Sequence, residues 1–204
     1  AHKSDSADPS SIQDVFFRIG GPGVGKAMVS LVVNSDNVLL DDIWAWRADH
    51  GNGVGWTVNT ADTGVIINGD DVTAYGLFVE HYQKYQVIWN GENGTTIMFQ
   101  NEMPYDPPDQ ASWSHDGING FASYKVGDDV NSHQGWGLGA YCFFDVNPSV
   151  INAHAFEVPN TSGVQFHDLL TVSLGGVGTI EHVINDTGAA ANKSNQVIDL
   201  VSYP

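Results

Sequence analysis

The chain has 204 residues, of which 42% are hydrophobic and 15% charged, with 7 Lys and Arg against 24 Asp and Glu. These numbers exclude a disordered chain and allow one domain with a hydrophobic core. The formal charge of −17 repels phosphate backbones and anionic lipid surfaces, so we expect neither nucleic acid nor a membrane as a partner.

The first ten residues read as a processed N-terminal segment, since the chain starts "AHKSDSADPSS" without Met. We assign residues 1–10 to this segment and residues 11–204 to one domain. Cys142 lies in the apolar run "GAYCFFDV", which predicts a buried thiol and no disulfide framework. Four N-x-[ST] sequons fit a secreted glycoprotein if the source is eukaryotic: Asn93, Asn160, Asn185 and Asn192.

The next element is the glycine-rich stretch "GGPGVGK", which comes close to a phosphate-binding loop. The position after Lys26 is Ala27, where the Mg²⁺-binding hydroxyl of such a loop should stand. The residues that follow are β-branched and predict a strand, whereas a phosphate-binding loop must open a helix. We therefore predict a loop between two strands that binds no nucleotide.

A strand signature then recurs about every 25 to 34 residues, within the range typical of stacked repeats. This period predicts an all-β fold, a parallel β-helix whose coils stack at roughly 4.8 Å. An antiparallel sandwich is the alternative, with Asn68-Gly69 and Asn90-Gly91 as hairpin turns. In the β-helix, six aliphatic anchors should face inward: Ile12, Val38, Val72, Ile97, Val130 and Val164.

Aromatic and acidic residues concentrate between residues 41 and 113, as a sugar-binding groove requires, although about half of the aromatics should belong to the core. Glu80 and Glu102 stand near the ends of successive strand signatures. One coil apart, their carboxyl groups would suit a glycosidase pair, with Asp49 as a helper. Candidate substrate-binding residues are Trp46, Arg47, His50, Trp56, His81, Tyr82, Trp89, Tyr105 and Asp106.

Other chemistries have weaker signals. The histidines are too dispersed for a zinc signature, and we expect no catalytic metal or other cofactor. A structural calcium ion could bind "NGDD" at 68–71 or "GDD" at 127–129, although both also read as ordinary aspartate turns.

Long motifs such as "FFRIGGPGVGKA", "WRADHGNGVGWTVNTADTG" and "FVEHYQKYQVIWNG" give a family resemblance. The chain resembles the C-terminal part of secreted right-handed parallel β-helix proteins of the pectin-lyase-like class, distantly similar to family 55 β-1,3-glucanases. This resemblance implies an extracellular protein that acts on a polysaccharide and packs on an N-terminal part of the same precursor.

Three functions stay open at this point. The first is a glycoside hydrolase that acts on a neutral polysaccharide through the carboxylate pair. The second is a non-catalytic module that grips a glycan by aromatic residues. A polysaccharide lyase fits less well, because an anionic substrate requires bound calcium or more basic residues than Arg47, Lys84 and Lys125 in the central region.

Overall fold

The computed structural model describes residues 5–204, so the first four residues of the predicted processed segment lie outside the described residues. The described part is all-β except for two short 3₁₀ turns, Ala111–Trp113 and Leu174–Gly176. Between residues 5 and 204 there is no helix long and apolar enough to cross a membrane.

Two large sheets carry most of the chain. The first contains β1 (Ser10–Ile19), β3 (Val38–Arg47), β5 (Thr73–Glu80), β7 (Gly94–Glu102), β11 (His133–Cys142), β13 (Val164–Ser173) and β15 (Val197–Tyr203). The second contains β2 (Ala27–Val33), β4 (Ala61–Ile67), β6 (Val87–Trp89), β10 (Tyr124–Val126), β12 (Ile151–Glu157) and β14 (Thr179–Ile184). A small hairpin joins β8 (Ser114–His115) to β9 (Ile118–Asn119).

The chain alternates between the two sheets, so each pair of successive strands forms one coil of a stack. Six coils follow one another, from β1–β2 to β13–β14, and neighbouring coils pair in parallel in both sheets. The last strand, β15, pairs antiparallel with β13 and closes that end of the first sheet. The predicted parallel coil stack is therefore confirmed, and the antiparallel sandwich is excluded.

Each of the first six long strands of the first sheet bends at one residue with positive φ. These residues have φ between 50° and 67° and lie above one another on successive coils: Asp14, Asp42, Gly76, Met98, Gly137 and Asp168. A left-handed residue turns the strand sharply, and Gly and Asp tolerate this conformation better than most residues do. The bend divides the outside of the first sheet into two faces. The second face is formed by the residues that follow the positive-φ residue on each strand.

The anchor prediction is right for four of its six residues. Val38, Val72, Val130 and Val164 are buried, and Ile12 is partly buried against the core. The expectation for Ile97 is wrong, because its side chain is 37% exposed. The register aligns Ser10, Val38, Val72, Gly94, His133 and Val164 on one column. Since Gly94 takes the anchor position of its coil, Ile97 falls three residues too late and points outward.

The Asn-Gly pairs form stacked corners instead of hairpin turns. The Asn68 amide donates to the Asn34 side chain at 2.7 Å, and Asn90 donates to Asn68 at 2.8 Å. The Asp70 carboxylate accepts the backbone N–H of Glu92 at 2.8 Å. Within residues 5–204, no group of three or more His, Cys, Asp and Glu side chains is placed to hold a metal ion. A calcium ion at either corner stays a prediction.

The glycine-rich loop Gly20–Lys26 connects β1 to β2, and a strand follows it as expected. The Cys142 thiol is also buried as expected, and burial raises its pKa to about 12. In the described part of the chain, β1 and β2 are the outermost strands of their sheets. Apolar side chains such as Met28 and Val24 are exposed on the first coil.

Candidate active site

After the bend, every second side chain of each long strand points away from the core and lies on the second outer face. On β3 the inward residues Ile43 and Ala45 are fully buried, so Trp44 and Trp46 point outward. The register aligns Trp46 with Glu80, at the end of β5. Strands β5 and β7 pair in register as far as Phe78 and Gln100. Two residues farther on, Glu80 and Glu102 therefore occupy aligned positions on neighbouring coils, here called neighbouring rungs. Neighbouring rungs lie about 4.8 Å apart.

A groove of about 470 Å³ runs over these rungs. One wall is aromatic: the Phe16 and Trp44 rings stack at 4.5 Å, and Trp46 lies 5.9 Å from Trp44. The other side carries Glu80, Glu102, Asp49, His50 and His81. A second cavity of about 430 Å³ begins at the same Asp49 and His50 and extends past Tyr105 and Phe143. The two cavities together form an elongated cleft.

Glu80 is the most buried of the three carboxyl groups, and the Trp44 indole donates a hydrogen bond to it at 2.9 Å. Burial raises the pKa of Glu80 from 4.5 to about 7, and the negative charges of Glu102 and Asp49 add to the rise. The Trp44 hydrogen bond opposes the rise only in part. A carboxyl group that keeps its proton near neutral pH is what a proton donor requires.

Glu102 accepts a hydrogen bond from the Tyr105 hydroxyl at 2.5 Å, and the Nε2 atom of His81 lies 3.5 Å from it. The same Nε2 atom lies 3.9 Å from Asp49. The Nδ1 atom of His81 contacts the Met103 carbonyl at 3.0 Å, which fixes it as the protonated nitrogen and turns Nε2 toward the two carboxylates. Burial lowers the pKa of His81.

The structure thus brings the three predicted catalytic carboxylates together in one groove, which His81 also lines. His50 is exposed, and its Nδ1 atom lies 2.8 Å from Asp49. Trp46, His50 and His81 line the first cavity, and Tyr105 and Asp106 line the second.

Four predicted substrate-binding residues line neither of the two cavities. Tyr82 and Trp89 are fully buried inside the coils and cannot touch a ligand, so these two predictions are wrong. Arg47 is also buried, and Asp106 and backbone carbonyls take up its donors. Trp56 is partly buried beside the core, with its ring 5.8 Å from the Arg47 guanidinium.

Three groove residues were absent from the predicted binding set: Phe16, Arg18 and Trp44. The signal that could have found them is the two-residue period of a strand. Trp44 has the same parity as Trp46, and the register places Phe16 and Arg18 beside those two residues on the preceding coil. The Arg18 guanidinium lies over the Trp46 ring at 5.1 Å.

The raised pKa of Glu80 predicts a pH-dependent stability. Between about pH 4.5 and 7 the folded protein holds a proton that the unfolded chain has lost. The free energy of unfolding therefore falls as the pH rises through this window. Ionisation of Glu80 lowers the free energy of unfolding by about 2 kcal/mol after allowance for solvent screening.

We expect Glu80→Gln to be more stable than the parent at pH 8 by about this amount, and equally stable at pH 4. The glutamine still accepts the Trp44 hydrogen bond but carries no charge. Urea unfolding at the two pH values measures the difference. A stability change that is the same at pH 4 and pH 8 would contradict the prediction.

The hydrogen bond from the Trp44 indole N–H lowers the pKa of Glu80. In Trp44→Phe the aromatic wall remains but the hydrogen bond to ionised Glu80 is lost, so we expect the pKa of Glu80 to rise further. Carbon-detected NMR titration of the carboxyl group measures the shift. Trp136→Phe is the matched control, because Trp136 is exposed and stacks on His167 instead. A Trp44→Phe titration curve identical to the parent's would disprove the role of this hydrogen bond.

Comparison with known proteins identifies the family and supports the fold. Residues 1–102 match the LAM55 pectate lyase-like domain. Over 200 residues the chain is 56% identical to an exo-β-1,3-glucanase of Streptomyces sp. strain SirexAA-E / ActE, covering 98% of this chain and 33% of the relative. The chain thus spans about a third of the length of that curated relative.

Two solved structures are similar to the whole domain. The structure of sacteLam55A from Streptomyces sp. SirexAA-E superposes with a TM-score of 0.97 at 55% identity, covering 100% of this chain and 37% of that one. A glutamate-to-alanine variant of the same protein, in complex with glucose, gives a TM-score of 0.96 at 54% identity, covering 98% and 37%.

Proposed function

This chain belongs to the LAM55 pectate lyase-like domain family, and from that premise we propose that it forms part of a secreted glycoside hydrolase acting on β-1,3-linked glucan. The observation that carries the proposal is the carboxyl pair of Glu80 and Glu102 on neighbouring rungs of an aromatic-walled groove. The glucanase relative and the glucose complex support the choice of a neutral saccharide.

The pair supplies both groups that glycoside hydrolysis needs. One carboxyl group gives its proton to the glycosidic oxygen as the bond to the anomeric carbon breaks, and the other, ionised, assists the attack on that carbon. Water supplies the new hydroxyl group of the released sugar and restores the proton. Burial, to which the negative charges of Glu102 and Asp49 add, raises the pKa of Glu80 to about 7, so Glu80 keeps a proton that it can donate near neutral pH.

The aromatic wall supports a second candidate, a module that binds glycan without cleaving it. A reducing-sugar assay on soluble β-1,3-glucan, β-1,4-glucan, galactan and arabinan separates the two. We expect release of sugar from the β-1,3-glucan and little from the other three. Binding to β-1,3-glucan without release of sugar would favour the module, and an unsaturated product absorbing in the ultraviolet would favour a lyase.

We also propose that the coils wind right-handed, because parallel crossover connections are right-handed in about 98% of cases. Two exposed apolar side chains on the first coil, Met28 and Val24, support a partner from the same polypeptide. Hydrogen exchange tests this contact: β1 and β2 should exchange more slowly in the full-length protein than in the isolated domain. Equal exchange rates would remove the partner from the proposal.

A further inference from the structure

Arg47 lies at the end of β3, fully buried beneath the groove. A guanidinium has five N–H donors, and the structure engages all five. Its Nε atom donates to the Asn59 carbonyl at 2.9 Å. The Nη1 and Nη2 atoms donate to the carbonyls of His81 and Gly55 at 3.2 and 3.1 Å, and each also donates to one Asp106 carboxylate oxygen at 2.8 Å.

The partners of Arg47 belong to the three segments that present the candidate catalytic side chains. The segment after β3 carries Asp49, the end of β5 carries Glu80 and His81, and the end of β7 with its following segment carries Glu102 and Tyr105. One planar group therefore ties three successive coils together at the height of the groove. A site is held precisely when the residues behind it are locked in this way.

We propose that Arg47, through its ion pair with Asp106, is the positioning residue of this site. It holds the Tyr105 hydroxyl on Glu102 and the His81 imidazole between Glu102 and Asp49. The geometric part of the inference stands on the contacts above, and its kinetic part rests on the proposed hydrolase function.

Lysine cannot replace this arginine, because an ammonium group has three donors and no planar fork. Arg47→Lys keeps the charge but loses the two-pronged contact with Asp106. Asp106→Asn keeps the shape of the partner but removes its charge, and the Asp106 side chain is partly exposed. We therefore expect Asp106→Asn to fold even if Arg47→Lys does not.

The charge of Arg47 also gives a spectroscopic readout. Burial is the main cause that lowers the pKa of His81, and Arg47 lowers it further. The Met103 carbonyl and the carboxylates of Asp49 and Glu102 raise it, while Tyr105 meets the imidazole with its ring edge. Removal of the charge in Arg47→Met should raise the pKa of His81, whereas Arg47→Lys should leave it nearly unchanged.

The test uses the full-length protein with soluble β-1,3-glucan as the substrate. We expect Arg47→Lys and Asp106→Asn to lower kcat about 30-fold or more, with KM within about threefold of the parent value, because small misplacements of catalytic groups are costly. The matched control is Asp62→Asn, which removes the carboxylate of an exposed ion pair with Lys84 at 2.7 Å. The control should keep the parent kcat.

Parent-like kcat in a folded Asp106→Asn variant would overturn the kinetic part. If the parent protein releases no sugar from β-1,3-glucan, the proposed function fails, but the geometry can still be judged. A crystal structure of Asp106→Asn that keeps the 2.5 Å contact between Tyr105 and Glu102, or a His81 titration that is unchanged in Arg47→Met, would overturn the positioning role itself.

Discussion

Glu80→Gln and Glu102→Gln should each lower kcat on β-1,3-glucan by about 10³-fold while the protein still folds and binds glucan. Each substitution removes one of the two groups that exchange protons with the substrate or with water, and loss of such a group costs about 10² to 10⁴ in rate. Glutamine has nearly the same shape as glutamate, so the Trp44 and Tyr105 contacts can persist. Steady-state kinetics gives kcat, and calorimetry with inactive variants gives binding.

The double variant should be little worse than either single one, because the two residues act as a unit. Glu181→Gln is the matched control, since Glu181 is an exposed strand residue on β14, away from the groove. Full activity in both single variants would show that the carboxyl pair is not catalytic. Unchanged binding together with absent activity in the parent would favour the binding module.

Gly91→Ala should unfold the domain or destabilise it by about 3 kcal/mol or more. Gly91 lies at a stacked corner, where an added Cβ atom would come within 1.8 Å of the Gly69 carbonyl oxygen. That oxygen belongs to the backbone of the preceding coil and cannot rotate away as a side chain would. The corner would have to separate from its neighbour, which would disrupt the Asn68–Asn90 hydrogen bond.

Gly23→Ala is the control for this substitution, because no atom lies within 4 Å of a Cβ added there. We expect its free energy of unfolding to stay within about 0.5 kcal/mol of the parent value. Urea unfolding of the three proteins makes the comparison. Equal stability of Gly91→Ala and Gly23→Ala would mean that the corners are not closely stacked in solution.

The sequence predicted the parts of this protein that repeat along the chain. The coil period, the parallel pairing and the two glutamates at the ends of successive strands could all be found from spacing. The bends could not, because Asp, Gly and Met share the left-handed column and leave no common motif. A register taken from the spacing alone also passes over Gly94 as the anchor of its coil and places Ile97 in the core.

The spacing of residues along the chain also does not predict which individual polar and aromatic side chains are buried. Tyr82 and Trp89 belong to an aromatic-rich stretch that contributes to both the core and the groove, and the sequence does not say which ring faces inward. The sequence predicts Arg47 to be available for a substrate, because arginine is rarely buried without a partner. Its partner Asp106 stands 59 residues away, and no local pattern links the two.

Coils of different length along the chain occupy the same height in the stack. Aligned positions on neighbouring coils stand between 22 and 39 residues apart along the chain, yet hydrogen bonding keeps all coils at the same spacing. The extra residues leave the stack as surface loops, such as 48–60 and 103–113, which border the cleft. Evolution could therefore change the length of these loops to fit a different glycan without moving Glu80 relative to Glu102, provided that the partners of Arg47 within them are kept.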